Sequence, residues 1–399
     1  MLSKSCRIAV CVASMLCFPL SQAAEEEEKK EAYTFEGMYR LDYWTGITGP
    51  LKTQVNNVGL LDLRLNVDGE KAWNWKGGRM LLQAQGTHGN YPNQVQGTVQ
   101  GIDNAEVEVN TTRIFQAWAE QSMLDDKLSL LFGLFDVNTE FDVTDSSGPL
   151  LHPTFGISSE VSQTGLSIFP ETALALRAAW NFNEKITLRT ALLDAVPGDP
   201  DRPRGTNIRL DLNEGTLLIS ELSYINKANE HDANKVAIGA WRYSGLYDDT
   251  LYVDDNGAPI KRANYGLYLL GERTVWRANK EGSRGIDAFL RLGWASPNVN
   301  QIDSALGTGL LWRGPFESRP EDKLTFGIAA EHHARKWRVA QAAQNLDVLL
   351  AEVAYEISYR AIVKDWFAIQ SDFQLVRNHA SQGENTDALL AGIRMDFTF

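Results

Sequence analysis

The sequence predicts a transmembrane antiparallel β-barrel of about 16 strands, with short periplasmic turns and long extracellular loops. Segments of about ten residues alternate apolar and polar side chains with period two along most of the chain, as expected when one face meets lipid and the other water. Short and long connections between these segments follow one another in turn. After the N-terminal segment, no run of about 18 consecutive apolar residues predicts a membrane-spanning helix.

The N-terminus, residues 1–23, has the features of a cleaved secretory signal. A basic start is followed by an apolar run over residues 8–20, which is too short for a transmembrane helix. Ser21 and Ala23 then supply the small-x-small pattern that signal peptidase recognises. We therefore expect an exported protein.

Cysteine usage and charge narrow the class further. The three cysteines, at positions 6, 11 and 17, all lie in the predicted signal peptide, so neither a disulfide framework nor a thiolate metal site is expected. An acidic leader at 24–33 follows, and residues 34–399 are predicted to form a single barrel domain. The formal net charge is −13, which argues against nucleic acid as a partner.

Period-two alternation marks the strands. In the second strand, Leu61, Leu63 and Leu65 point to one face, while Asp62 and Arg64 point to the other. The predicted strands lie near residues 34–45, 58–68, 78–88, 112–123, 127–135, 171–183, 185–194, 216–226, 235–245, 263–275, 285–296, 304–314, 322–334, 347–361, 363–378 and 386–399.

The connections give the orientation. Short ones follow even-numbered strands, at 124–126, 183–184 and around Ile362. Long ones follow odd-numbered strands, at 89–111, 136–170, 195–215 and 246–262. This regular alternation is typical of bacterial outer-membrane barrels, in which long loops face outward and both termini are periplasmic.

The predicted inner face is polar, with charges of both signs. About 16 strands enclose an aqueous channel, whereas eight leave room only for packed side chains. We therefore expect a hydrated lumen instead of a dry plug. The inward residues include Arg40, Asp42, Gln116, Glu120, Arg177, Arg189, Glu221, Arg291, Glu352, Gln370, Gln374, Arg394 and Asp396.

The longest loop, at 136–170, follows the fifth strand. In barrels of this size the third outer loop commonly folds into the lumen, so we expect this loop to form the narrowest point. Its acidic residues are Asp136, Glu140, Asp142, Asp145 and Glu160. Wall arginines facing them would create a transverse field that filters solutes, and the candidates are Arg64, Arg79 and Arg177. Alternatively, some of these carboxylates pair within the loop to hold its shape.

Two stretches resemble the carbohydrate-selective porin family of the OprB type. They are GLFDVNTEFDVTDSSGPLLHPTFGISSEVSQTGLSIFPETALALR at 133–177 and ALLDAVPGDPDRPRGTN at 191–207. The resemblance implies a sixteen-stranded channel for passive uptake of mono- and disaccharides, narrowed by loop carboxylates, Glu140 and Asp142 among them, and wall arginines. It also implies aromatic contacts to sugar rings from Trp118, Phe141 and Phe155. Alternation places Trp118 on the same inward face as Glu120.

Other classes of function are less well supported. An outer-membrane hydrolase would need a nucleophile beside a base, but no histidine lies in a GxSxG or HExxH setting. The only metal-like cluster, EHH at 331–333, directs His332 and His333 to opposite faces of a strand, so no metal or cofactor is expected. A general or cation-preferring porin and a structural or adhesive barrel remain as alternatives.

The expected partners follow from this location. They are small sugars as solutes, outer-membrane lipids and the barrel-insertion machinery, whose recognition signal the terminal Phe399 resembles. A homotrimer stays an open alternative to a monomer.

Overall fold

Sixteen antiparallel strands form a closed barrel in the computed structural model, which describes residues 32–211, 213–346, 348–377 and 387–399. Each strand pairs with its neighbours in sequence, and β1 pairs with β16. The predicted barrel is confirmed. The predicted signal peptide and most of the acidic leader lie outside the described residues. The strands are β1 Tyr33–Gly46, β2 Val55–Asp68, β3 Gly78–Gly89, β4 Thr112–Met123, β5 Leu128–Phe135, β6 Ala173–Asn181, β7 Ile186–Asp194, β8 Thr216–Ile225, β9 Lys235–Val253, β10 Pro259–Arg277, β11 Gly285–Ala295, β12 Ile302–Arg313, β13 Lys323–His333, β14 Ala351–Lys364, β15 Phe367–Arg377 and β16 Ala388–Thr398.

The seam between β1 and β16 is closed to the last residue of the chain. Tyr39 pairs with Phe397 in this seam. Beyond it, Phe399 N–H donates to the Gly37 carbonyl at 2.9 Å, and Gly37 N–H donates to the Phe399 carbonyl at 2.8 Å. A closed sheet leaves no strand edge without hydrogen bonds, as the hydrocarbon core of a bilayer requires.

The outer face of the barrel is apolar between two levels of aromatic side chains. Leu176 and Phe132 are exposed on this face. Trp180 and Trp312 lie near its periplasmic end, and Trp294 lies near its outer end. This arrangement matches the apolar band and aromatic girdles of outer-membrane barrels.

The β9–β10 hairpin is longer than predicted. Each strand has 19 residues, so most of the predicted loop at 246–262 is strand. Outside the membrane both faces of a hairpin meet water, so the apolar–polar alternation is lost while backbone pairing continues. The ion pair of Lys261 with Asp248, at 2.7 Å, stands on this outer part.

Helices are short and lie in the connections. No helix in the described part of the chain is long and apolar enough to cross a membrane. The strand predicted from 347 begins at 351, and the loop before it contains a helix that the sequence analysis did not predict. The helices are α1 Gly69–Trp73, α2 Asn93–Gln96, α3 Ser159–Ser162 and α4 Arg335–Ala342, with 3-10 turns at Val137–Thr139 and Pro153–Phe155.

Candidate functional site

The loop between β5 and β6, residues 136–172, folds into the barrel. Its apolar side chains Val137, Val161 and Leu166 are buried in a cluster with Trp241 and Tyr243 of β9. Part of the lumen is therefore filled by packed side chains, and the remaining space runs beside the loop.

Carboxylates of the barrel wall hold the backbone of this loop. They lie on β8, β10 and β14, and each accepts a hydrogen bond from a loop N–H. A carboxylate that accepts backbone N–H bonds in a buried site fixes the position of the segment that donates them. The bonds are Glu221 with Asp142 N at 3.0 Å, Glu272 with Ser146 N at 2.7 Å and Glu356 with His152 N at 2.9 Å. Inward polar residues predicted to line water therefore serve in part as loop supports.

Arg291 of β11 supports the loop from the same side. Its guanidinium donates to the carbonyls of Phe155 at 2.9 Å and Gly156 at 3.0 Å, and also to the Asp142 carbonyl. The Asp142 carboxylate accepts from Ser158 N–H at 2.7 Å and from the Ser158 hydroxyl at 3.2 Å. Asp142 is buried, so its predicted place in the solute path is wrong. It holds the shape of the loop, as the alternative interpretation had it.

Four other predicted loop residues occupy different settings. Phe141 and Phe155 are fully buried, so they cannot contact a passing sugar, and this prediction is also wrong. Glu160 is buried against β11, where a Cβ on Gly293 would lie 2.0 Å from its carboxylate oxygen. Burial raises the pKa of Glu160 well above its ordinary value. Asp145 is exposed.

One loop carboxylate meets wall arginines. Glu140 lies 2.8 Å from Arg177 of β6 and 3.3 Å from Arg189 of β7. Arg177 also donates to Glu120 of β4 at 2.8 Å, and Arg79 of β3 pairs with the same Glu120. These five residues are the charged cluster. It joins the inward loop to the part of the wall formed by β3, β4, β6 and β7.

Arg189 is absent from the predicted arginine set, although its inward direction was predicted. It lies on the strand next to Arg177, with Ala179 opposite it in the register. The sequence could have suggested Arg189 because it is an inward arginine on the strand next to that of Arg177. The sequence does not show, however, which wall residues the loop contacts.

Arg64 and Asp136 face the lumen but do not form an ion pair with each other. Arg64 pairs instead with Asp62 of its own strand, at 3.1 Å. The Asp136 carboxylate accepts from Asn138 N–H at 2.9 Å. Burial deep in the lumen raises the pKa of Asp136 to about 7, although this hydrogen bond and the charge of Arg64 act to lower it.

Trp118 of β4 lies on the inward face, half-buried. Its indole N–H donates to Gln116 at 3.3 Å, and the same amide oxygen accepts from Asp136 N–H at 3.1 Å. The ring packs against the apolar cluster of the 136–172 loop. Trp118 is therefore positioned beside the start of this loop.

A second loop, at 90–111 between β3 and β4, also folds into the barrel, which the sequence analysis missed. Arg394 of β16 donates to Asp103 at 2.9 Å and to Asn104 at 2.8 Å. The Trp44 indole N–H donates to Asp103 at 2.6 Å. Arg394 is buried and also pairs with Asp42. The inward direction of Arg394 was predicted, but its partner lies 291 residues away, and no local pattern reveals such a contact.

Two cavities lie on either side of the stretch 136–140. The outer one, about 630 Å³, is lined by residues of both inward loops, including Glu106, Asp136 and Asn138. The inner one, about 530 Å³, is lined by the whole charged cluster. This stretch of the loop therefore borders both cavities.

No metal centre is indicated. Among the residues that the structure describes, no three His, Cys, Asp or Glu side chains are grouped so as to hold a metal ion. His332 contacts Asp303 at 2.6 Å, while His333 stacks on Trp337 with 5.0 Å between ring centroids.

Comparison with known proteins decides the family. Residues 52–399 match the carbohydrate-selective porin family, OprB. The chain belongs to this family. Porin B of Pseudomonas aeruginosa is 25% identical over 316 residues, covering 72% of this chain and 68% of that protein. The putative porin QuiX of Acinetobacter baylyi is 20% identical over 413 residues, covering 94% of this chain and 91% of that protein.

The OprB structure of Pseudomonas putida at high pH has the same fold. It superimposes with a TM-score of 0.83 at 18% identity, covering 94% of this chain and 96% of that one. This OprB-family protein is thus a porin of the outer membrane of a Gram-negative bacterium, forming a water-filled channel for passive diffusion of carbohydrates.

Proposed function

We propose that mono- and disaccharides cross this porin from the outer cavity to the inner cavity past residues 136–140, and that the charged cluster forms the narrowest section of the path. The observation that supports this path is that Asp136 and Asn138 line the outer cavity, while Glu140, two residues after Asn138, lines the inner one. Pockets for small ligands measure about 300–1,000 Å³. The two cavities have the size to hold one small sugar each.

The chemistry of the cluster suits hydroxyl-rich neutral solutes. Arg177 and Glu140 are already paired, so the section carries little net charge and does not trap an ion strongly. The more open side chains of Arg79 and Arg189 offer N–H donors to sugar hydroxyls. Carboxylate oxygens beside them accept hydrogen bonds from the same hydroxyls. The indole face of Trp118 lies on the same wall and suits the C–H face of a sugar ring.

The test is ion-current block by sugars in planar bilayers, combined with sugar uptake into liposomes. We expect mono- and disaccharides to reduce the current at millimolar concentration and to enter faster than neutral solutes of equal size. Arg189→Gln should weaken the block several-fold. Arg202→Gln, on an exposed part of the 195–215 loop, is the control and should leave it unchanged. If sugars neither block the current nor enter preferentially, the proposed sugar path is wrong.

A cation preference is a second property with support of its own. Four described residues lining the outer cavity carry carboxylates, namely Asp103, Glu106, Glu108 and Asp136, and none of the described lining residues is basic. A mouth of one charge sign concentrates ions of the opposite sign. Asp103 is neutralised by Arg394, so Glu108, which is exposed, is the main contributor. Glu108→Gln should lower cation preference, measured as the reversal potential in a salt gradient, without affecting sugar block.

The remaining expectations belong to the same proposal. The fold and the family are those of channel proteins, and we propose that the chain has no catalytic activity.

We also propose that the protein is processed after residue 23, and that Phe399 is recognised by the barrel-insertion machinery. Deletion of Phe399 should reduce the amount of heat-modifiable barrel in the outer membrane. Cross-linking in native membranes would distinguish a homotrimer from a monomer.

A further inference from the structure

The barrel wall is incomplete above β5. This strand has eight residues, and its last pair with β4 is Ala117 with Leu134. Eight residues of a tilted strand span roughly 20 Å along the membrane normal, less than the apolar band of about 25 Å in outer-membrane barrels. Because the chain turns into the lumen at Asp136, the upper part of β4, at 112–116, loses its strand partner on this side.

The 195–215 loop covers the edge that β5 leaves. The Thr206 hydroxyl accepts from Ile114 N–H at 2.6 Å, and Gly205 N–H donates to the Thr111 hydroxyl at 2.8 Å. We call residues 205–210 the strap. Backbone groups without partners are costly next to hydrocarbon, so a segment that satisfies them takes over the role of the missing strand.

The strap alternates like a strand of the barrel. Ile208 and Leu210 are 55% and 66% exposed, while Asn207 and Arg209, which alternate with them, are half-buried. Asn207 donates to the carbonyls of its own loop. Arg209 is paired with Glu214, so the charge in the strap is neutralised.

The strap lies on the outside of the barrel. Leu134 shares its face with Leu130 and Phe132, of which Phe132 is 62% exposed, yet Leu134 itself is 6% exposed. Leu134 lines one small space together with Ile208 and Arg209, so the strap lies beside Leu134 where this side chain is buried. The apolar side chains of the strap are therefore continuous with the lipid-facing surface of β5.

We infer that the strap is part of the membrane-facing surface and that Ile208 and Leu210 contact acyl chains of the outer leaflet. Three observations support this occupant: continuity with the lipid-facing face of β5, the missing height of the wall above that strand, and the pairing of Arg209 within the protein. Charged groups at membrane depth require such pairing. If these two side chains were exposed to water instead, they would lose the free energy that burial of apolar surface provides.

Site-specific fluorescence tests the inference in the processed full-length protein. The sequence has cysteines only within the predicted signal peptide, so single-cysteine variants carry one label each. Ile208→Cys and Leu210→Cys are labelled with an environment-sensitive dye in liposomes. Phe132→Cys is the membrane control, and Arg202→Cys, in the same loop and 79% exposed, is the water control.

We expect lipids with a spin label on the acyl chain to quench the strap labels several-fold more than the Arg202→Cys label, and about as strongly as the Phe132→Cys label. Iodide quenching of the strap labels at the level of the water control would overturn the inference. Protection from both quenchers, together with disulfide-linked dimers formed by the unlabelled Leu210→Cys variant on oxidation by dissolved oxygen, would assign the strap to a second copy of the chain and overturn the inference as well. Sugar uptake by each labelled variant verifies that the barrel has folded.

Discussion

The Arg177 guanidinium lies 2.8 Å from the Glu140 carboxylate and 2.8 Å from the Glu120 carboxylate, so one arginine of β6 links the inward loop to β4, on the other side of β5. These three residues line the inner cavity. The proposed sugar path therefore runs beside their charges.

Neutralising Glu140 should shift ion selectivity toward anions. A unit charge about 4 Å away is worth about 1–4 kcal/mol between the dielectric of water and that of a protein surface, so the anion-to-cation permeability ratio of Glu140→Gln should rise several-fold. Arg177 and Arg189 would lose this counter-charge. Reversal potentials in a salt gradient measure the ratio. Glu317→Gln, on a periplasmic turn, is the matched control, and equal ratios in both variants would contradict a role for Glu140 in the narrow section.

Removing the charge of Asp103 should loosen the 90–111 loop. Asp103→Asn weakens a charge-assisted bond to Arg394 that is worth about 1.5–3 kcal/mol, while Arg394 keeps Asp42 as its partner. The barrel should therefore persist with a larger and noisier single-channel conductance. Asp254→Asn, in the outer turn of the β9–β10 hairpin, is the control. A conductance equal to that of the wild type would show that this contact does not set the width of the path.

The pKa of Asp136 predicts a pH-dependent selectivity. Burial raises this pKa from its ordinary value of 3.8 to about 7, so the folded protein binds a proton that the unfolded chain releases. The stability contribution of Asp136 therefore falls as pH rises from about 4 to about 7. Above about 7 the carboxylate is ionised in the lumen, and cation preference should increase between about pH 6 and pH 8. Asp136→Asn should remove that increase, and a slope that survives the substitution would assign it to another group.

Arg291 should be important for the stability of the inward loop. Arg291→Met removes the donor for the carbonyls of Phe155 and Gly156 and leaves Asp142 without its nearby cation. Breaking a buried charged network costs about 3–5 kcal/mol, so the midpoint of thermal unfolding should fall and conductance should rise. Arg242→Met, on an exposed position of β9, should change neither. If stability fell but conductance did not change, Arg291 would stabilise the barrel without fixing the position of the loop, and the prediction would be wrong.

The barrel could be predicted from the sequence because its determinant is local. Period two places each side chain on a lipid or a water face, and nearly all strand bounds were predicted within a few residues. The β9–β10 extension was missed because alternation disappears where both faces of a hairpin meet water. The start of β14 was predicted four residues too early. The helix α4 in the preceding loop was missed because it has no long apolar stripe that would have predicted it.

The site was harder to predict, because loop contacts depend on residues far apart in sequence. Alternation correctly directed Glu221, Arg291 and Arg394 inward, but it cannot tell a water-lined position from one covered by a loop. Asp142 and Glu140 illustrate this point. They are two residues apart and equally acidic, yet one is turned to the wall supports and the other to the charged cluster.

The closure of the seam at Phe399 has a consequence for biosynthesis. β16 completes the sheet by pairing with β1, so a chain that lacks either strand cannot form this cylinder. Such a chain would keep two strand edges without hydrogen bonds, which are costly in the hydrocarbon core of a bilayer. Stable insertion of this barrel therefore requires both β1 and β16 to be present in one chain.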